Sequence, residues 1–110
     1  LSRHADFLGD TGTNNLTATG LNQATALQLA HSVNAFLTVT AGNNGAKLEP
    51  IATCIWSCIM VRNDATGVDL NVYPAIGEFI NGLAANLPQA VPPGTGKVFF
   101  KNTSAKWVST

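Results

Sequence analysis

The stretch that most constrains the fold runs from Val68 to Asn86, VDLNVYPAIGEFINGLAAN. Val68, Leu70 and Val72 alternate with Asp69, Asn71 and Tyr73, the period of a strand with one buried face. Pro74 ends that strand, because proline has no N–H to give to a ladder. Gly77 turns the chain, and Phe79 and Ile80 resume an apolar segment. Asn81-Gly82 then marks a tight turn, since both residues accept positive φ. So much punctuation in so short a stretch belongs to a small all-β domain.

The rest of the chain reads in the same way. Cys54 to Arg62, CIWSCIMVR, is the most apolar run and suits a central strand covered on both faces. Asn63 to Gly67, NDATG, turns the chain back, so 54–62 and 68–73 are expected as adjacent antiparallel strands. Leu87 to Gly96, with its prolines and glycines, is expected to cross between sheets. Lys97–Lys101 and Lys106–Ser109 read as strands. Leu21 to Thr40 supports two readings. Strands near Ala24–Leu29 and Ala35–Thr40 are favoured, while Ala24, Leu27, Ala30 and His31 also sit at the spacing of a short helix over 21–31. Ala41 to Gly45 reads as a loop, and Lys47 to Pro50 as a short extended piece.

The expected fold is all-β: a β-sandwich, jelly-roll-like, or a small barrel of about seven to eight short antiparallel strands. Ile55, Ile59, Val61, Val72, Phe79 and Phe99 are its expected core, and Trp56 in the apolar run joins them. Phe99 and Phe100 point to opposite sides of their strand, so one meets the core and the other a second sheet or a subunit.

The 110 residues suit one domain, taken as 21–110, preceded by an extended N-terminal arm over 1–20. The arm is rich in turn formers, with Phe7 and Leu8 as isolated apolar residues that can anchor it on a neighbour and Arg3 as a rim contact. Trp107, near the chain end, is a further candidate contact. Charged residues make up only 11% of the chain, against about 25% in an ordinary domain. A surface so weakly charged suits packing against other subunits. Six basic and six acidic residues cancel, and no basic stripe exists to neutralise phosphates, so nucleic acid is not an expected partner.

Several fragments resemble catalytic motifs and fail on inspection. Asp10-Thr11-Gly12 is the aspartic-protease triplet, but Gly9 stands where a buried apolar residue is needed and no Gly-rich flap follows. Gly94-Thr95-Gly96-Lys97 resembles the end of a phosphate loop. It has Val91 in place of the first glycine, Val98 in place of Ser or Thr, and a strand where the helix should be. Asn15-Leu16-Thr17 and Asn102-Thr103-Ser104 match glycosylation acceptors at a frequency expected in so Asn- and Thr-rich a chain. On a strand, Cys54 and Cys58 stand ~13 Å apart, beyond the ~7 Å that a disulfide spans, and are expected as free thiols on one buried face. With only His4 and His31 besides, no zinc spacing appears. No catalytic set, metal or cofactor is therefore expected. No apolar run is long enough for a membrane helix, and the first residues lack the pattern of a signal peptide, so cytoplasmic assembly is expected.

Three passages carry a resemblance: LTATGLNQATALQL at 16–29, NVYPAIGEFINGLAANLPQAVPPGTGKVFF at 71–100, and SAKWV at 104–108. Together they resemble a family of small virion proteins of tailed phages, found as head-decoration, fibre or spike modules. The resemblance implies a β-rich, trimeric, non-enzymatic module on the particle surface. The favoured expectation is a head decoration (cement) protein that binds the major capsid protein and stabilises the capsid. The alternative is a trimeric fibre, spike or tail module that binds host surface glycans.

Overall fold

The computed structural model describes residues 13–40 and 44–110. No helix occurs among them. Ten strands do: β1 (Thr13–Thr17), β2 (Leu27–Gln28), β3 (Val33–Thr38), β4 (Gly45–Lys47), β5 (Cys58–Asn63), β6 (Leu70–Tyr73), β7 (Phe79–Ile80), β8 (Gln89–Val91), β9 (Thr95–Lys101) and β10 (Lys106–Ser109). They form a six-stranded sheet in the order β1-β3-β5-β9-β10-β7 and a four-stranded sheet in the order β2-β4-β6-β8.

From β1 to β9 the chain changes sheet at every step. Strands two apart in sequence thereby become neighbours, and they run parallel: β1 with β3, β3 with β5, β2 with β4, and β4 with β6. A parallel neighbour requires a crossover connection, and here each crossover is a strand of the opposite sheet. From β1 to β6 the chain is thus a winding in which each sheet gains one strand per turn. Partners are about 20 residues apart in the first repeat (Leu16 opposite Phe36) and about 27 in the second (Asn34 opposite Val61). Antiparallel pairing of β6 with β8, β5 with β9 and β9 with β10 closes it.

This corrects the expectation of an antiparallel fold: both sheets are mixed. The expected pairing of 54–62 with 68–73 is also absent. β5 lies between β3 and β9, whereas β6 lies in the other sheet between β4 and β8. The cause is local. Asn63 is fully buried at the end of β5, where its Nδ2 donates to the carbonyls of Val68 (2.8 Å) and Val91 (2.9 Å). Its Oδ1 accepts from the Ala65 amide at 3.1 Å. The side chain thereby ties the turn after β5 to β8 of the second sheet, holding the chain where it passes from one sheet to the other.

Residues 13–20 belong to the body rather than to an arm. β1 is paired along β3, Ala18 is buried, and Thr19 bridges Gly45. Backbone pairing holds this segment, and it needs no apolar periodicity to do so. Over 21–31 a turn forms instead of a helix: Asn22 Oδ1 accepts from the Thr25 amide at 3.0 Å, and β2 follows. The strand expected at 35–40 is β3, two residues earlier. The loop at 41–45 lies partly outside the described residues, and Gly45 already opens β4. A Cβ on Gly45 would stand 2.7 Å from the Tyr73 ring, so only glycine lets that ring lie across β4.

One core lies between the sheets. Phe36, Ile59, Val61, Phe99, Ile80 and Trp107 from the larger sheet meet Ala46, Leu70, Val72 and Val91 from the smaller. Of the expected core, Ile59, Val61, Val72 and Phe99 are fully buried, while Ile55 is 82% and Phe79 37% exposed. Ile55 precedes β5 instead of lying in it, and Phe79 takes the outward position beside buried Ile80.

Candidate functional site

The larger sheet is apolar on both sides. In β5 the buried residues Ile59, Val61 and Asn63 alternate with the exposed Cys58, Met60 and Arg62. The register extends this alternation across the sheet. Val33 stands opposite Met60, and Met60 opposite Val98. Cys58 stands opposite Phe100, and Phe100 opposite Val108. At the edge, Phe79 stands opposite Lys106. The outward rows therefore carry Val33, Met60, Val98, Cys58, Phe100 and Val108, with Leu37 further along β3.

Leu37 is 56% and Phe100 43% exposed. Such contiguous apolar surface on one sheet face is the mark of a contact surface. Charge is sparse on this face. Arg62 forms its ion pair locally, Nη2 to Asp64 Oδ1 at 2.9 Å.

At the end of the sheet where β3 and β5 begin, the face deepens into a hollow of about 320 Å³. Its lining is Ser32, Val33, Ile55, Trp56, Ser57, Cys58, Met60 and Val98, with no charged side chain among them. The segment before β5 is pinned. The Cys54 amide donates to the Pro50 carbonyl (2.9 Å), Lys101 Nζ to the Cys54 carbonyl (2.6 Å), and the Lys101 amide to the Ser57 carbonyl (3.0 Å). Ile55 is thus held outward by a hydrogen-bonded frame on both sides of it.

Both cysteines are free, but not as two thiols on one buried face of a strand: Cys54 precedes β5, and only Cys58 lies in it. Cys54 is buried, and burial pushes its thiol up. Cys58 is exposed on the outer face.

A second hollow of about 300 Å³ is lined by Gln28, Lys47, Pro50, Ala75, Ile76 and Glu78, and unlike the first it has charged side chains in its wall. Glu78 accepts from the Ile51 amide at 3.1 Å. Burial raises its carboxyl above the usual range, against the Ile51 amide and the Trp107 indole, which favour the ionised form. The indole Nε1 of Trp107 is buried and reaches no partner at normal hydrogen-bond geometry.

Trp107 is fully buried opposite Ile80. It is a core residue, which corrects its reading as a surface contact. A chain end lies near it, but Trp107 takes the inward position of β10. Trp56 is half-buried: it packs on the core and also lines the first hollow. Phe7, Leu8 and Arg3 lie outside the described residues. Met60, Val33 and Leu37 were not singled out from sequence, and Cys58 was expected on a buried face rather than this outward one. The available signal was Cys58-Ile59-Met60-Val61, apolar at both parities. Phe99 and Phe100 divide as expected, the first buried and the second outward.

Among the described residues, no group of three or more His, Cys, Asp or Glu side chains gathers to hold a metal ion. No family model matches the chain, and no curated protein or solved structure matches it significantly.

Proposed function

We propose that this chain is a non-enzymatic assembly module of a tailed-phage virion, a head-decoration protein that docks on the major capsid protein. The observation that carries this reading is the outward apolar face of the six-stranded sheet, centred on Met60, Val98 and Phe100. Such a face gains free energy when another protein covers it, at ~25 cal/mol per Å² of apolar area removed from water. Six strands at ~4.8 Å and about five residues at ~3.3 Å give a face of roughly 400–500 Å². That is below the ~800 Å² per partner of a standard stable interface. A single copy would therefore bind weakly, and a trimer presenting three such faces to a symmetric lattice would gain by avidity. Trimeric assembly is part of the proposal for that reason and because the resemblance implies it.

The fibre or spike reading calls for exposed aromatic rings grouped with Asp or Asn in a groove that grips sugars. The apolar hollow offers Trp56 but neither Asp nor Asn in its lining, which favours protein over glycan as the occupant.

The deciding experiment is quantitative protein analysis of purified particles. A decoration protein is present in many copies over the head lattice, and reconstitution onto particles stripped of it restores their heat stability. Presence in a few copies at the tail alone, with no effect on head stability, would overturn the reading.

A further inference from the structure

We propose that the hollow at the start of β3 and β5 receives Ile55 of a second copy of this chain, and that two copies pair about a two-fold axis with each Ile55 in the other's hollow. This goes beyond the capsid-docking reading and rests on no part of it.

The first argument is shape. Ile55 is 82% exposed, and the bonds that Lys101 makes to the Cys54 and Ser57 carbonyls fix the segment on both sides of it. It is an apolar knob on a held backbone. The hollow of about 320 Å³ opens at its foot, among Val33, Trp56, Cys58, Met60 and Val98. A two-fold interface joins one patch to itself, so the patch must carry both a projection and the concavity that accepts it. Here the two lie side by side. Met60 has an unbranched, adaptable side chain, which lets the hollow close on a branched aliphatic one.

The second argument is charge. A two-fold axis sets the charges of a patch against their own copies, and like charges facing each other oppose association. No charged side chain lines the hollow. Arg62 is neutralised locally by Asp64. Lys101 stands opposite the inward Trp107 and gives its ammonium to the Cys54 carbonyl. Lys106 is outward beside Phe79, but β10 is two strand spacings from β5, about 10 Å, so its charge falls at the rim.

The third argument is area. The outward face offers roughly 400–500 Å² per copy, so pairing removes about 800–1,000 Å² in total, the size of a weak and reversible contact. Such a pair shields the apolar face of the free protein and opens readily to a larger partner on the same face.

The test needs only the free full chain. Its mass is followed by sedimentation equilibrium from about 10 µM to 1 mM. In parallel, the rate at which excess iodoacetamide alkylates Cys58 is read by peptide mass, since Cys58 lines the hollow and is exposed in the single chain. Mass should double over this range, whatever the size of the smallest unit, and Cys58 should react about threefold or more slowly at the highest concentration. Ile55→Asp should raise the dissociation constant at least about tenfold, because its carboxylate would be desolvated in the hollow. Ile76→Asp, at an isoleucine 77% exposed beside the other hollow, should leave the constant within about twofold. Denaturant unfolding confirms beforehand that both variants fold. A mass that stays constant at every concentration would overturn the proposal. So would a doubling that leaves Cys58 equally reactive, one that survives Ile55→Asp, or one that Ile76→Asp weakens as much.

Discussion

The outward positions of the six-stranded sheet carry Val33, Leu37, Cys58, Met60, Val98 and Phe100, whereas those of the four-stranded sheet carry Gln28, Lys47, Asn71, Tyr73 and Ala90. The one large ring on the smaller sheet is already covered. Tyr73 is 6% exposed, its Oη donates to the Leu21 carbonyl at 3.5 Å, and Gln23 Nε2 donates to the Pro74 carbonyl at 2.7 Å. The loop at 19–25 thus serves the smaller sheet as a built-in cover. Among the described residues no segment does this for the larger sheet. Two sheets wound from one chain and sharing one core differ on their outer sides in a way that folding alone does not demand. The docking proposal rests on this difference.

The largest effect that sharpens this contrast lies within a single strand. Phe99→Ala should cost about 3–5 kcal/mol in denaturant unfolding, because Phe99 is fully buried in the core. Phe100→Ala should cost less than about 1 kcal/mol in the free protein. Similar losses at both positions would mean that the outer side of the larger sheet is a second core, and the contrast would break.

Asn63 comes next, since it lets the chain pass from one sheet to the other. Asn63→Ala leaves the carbonyls of Val68 and Val91 and the Ala65 amide without their partner. A loss of about 2–4 kcal/mol should follow in the same measurement. Asn63→Asp should be no better, because it supplies no donor and buries a charge. A loss below about 0.5 kcal/mol would show that the crossing does not depend on this side chain.

How much of this was legible in the sequence follows from where the information resides. Strands announced by local chemistry were readable: Leu70–Tyr73 ended by Pro74, Lys97–Lys101, and Lys106–Ser109. So was the turn at Asn81, whose φ is +54°. The parallel winding was not, because its repeat changes length between turns and no residue pattern recurs to betray it. A turn such as NDATG reads the same whether it closes a hairpin or rounds a corner between sheets. Only the burial of Asn63, a tertiary fact, separates the two. The low charge of the chain was visible, but much of its asparagine serves as internal backbone support. Asn81, for instance, donates to Gln89 Oε1 and Ser109 Oγ at 3.0 Å and accepts from the Ser109 amide at 2.9 Å. The outward apolar face was half legible, in Phe100 beside Phe99, and completed only by the register that aligns Cys58, Met60 and Val33 with it.

The smallest expected effect lies on the polar side, at Glu78. Its carboxyl is raised in the folded protein by burial, so folding favours the protonated form. The contribution is fully present below the unfolded-state pKa and is lost as pH rises through the folded-state one. Glu78→Gln keeps an acceptor for the Ile51 amide and removes the charge. It should match or slightly exceed the parent chain in stability at neutral pH, and the difference should vanish in mild acid. A variant less stable at neutral pH, with the deficit closing in acid, would show that the ionised carboxylate is a favourable partner in the second hollow.

The central claim, that the outer side of the six-stranded sheet is the docking surface, is tested most directly by a matched pair of charges. Phe100→Asp and Ala90→Asp each place one carboxylate at an outward strand position, one on each sheet, and unfolding of each free variant is measured first so that binding is compared between folded proteins. Binding of the two proteins to particles stripped of this component is then compared by titration. Phe100→Asp should weaken binding by at least about tenfold, since its charge must be desolvated in the contact, while Ala90→Asp binds as the parent does. Equal binding by both variants, or a loss confined to Ala90→Asp, would contradict the account.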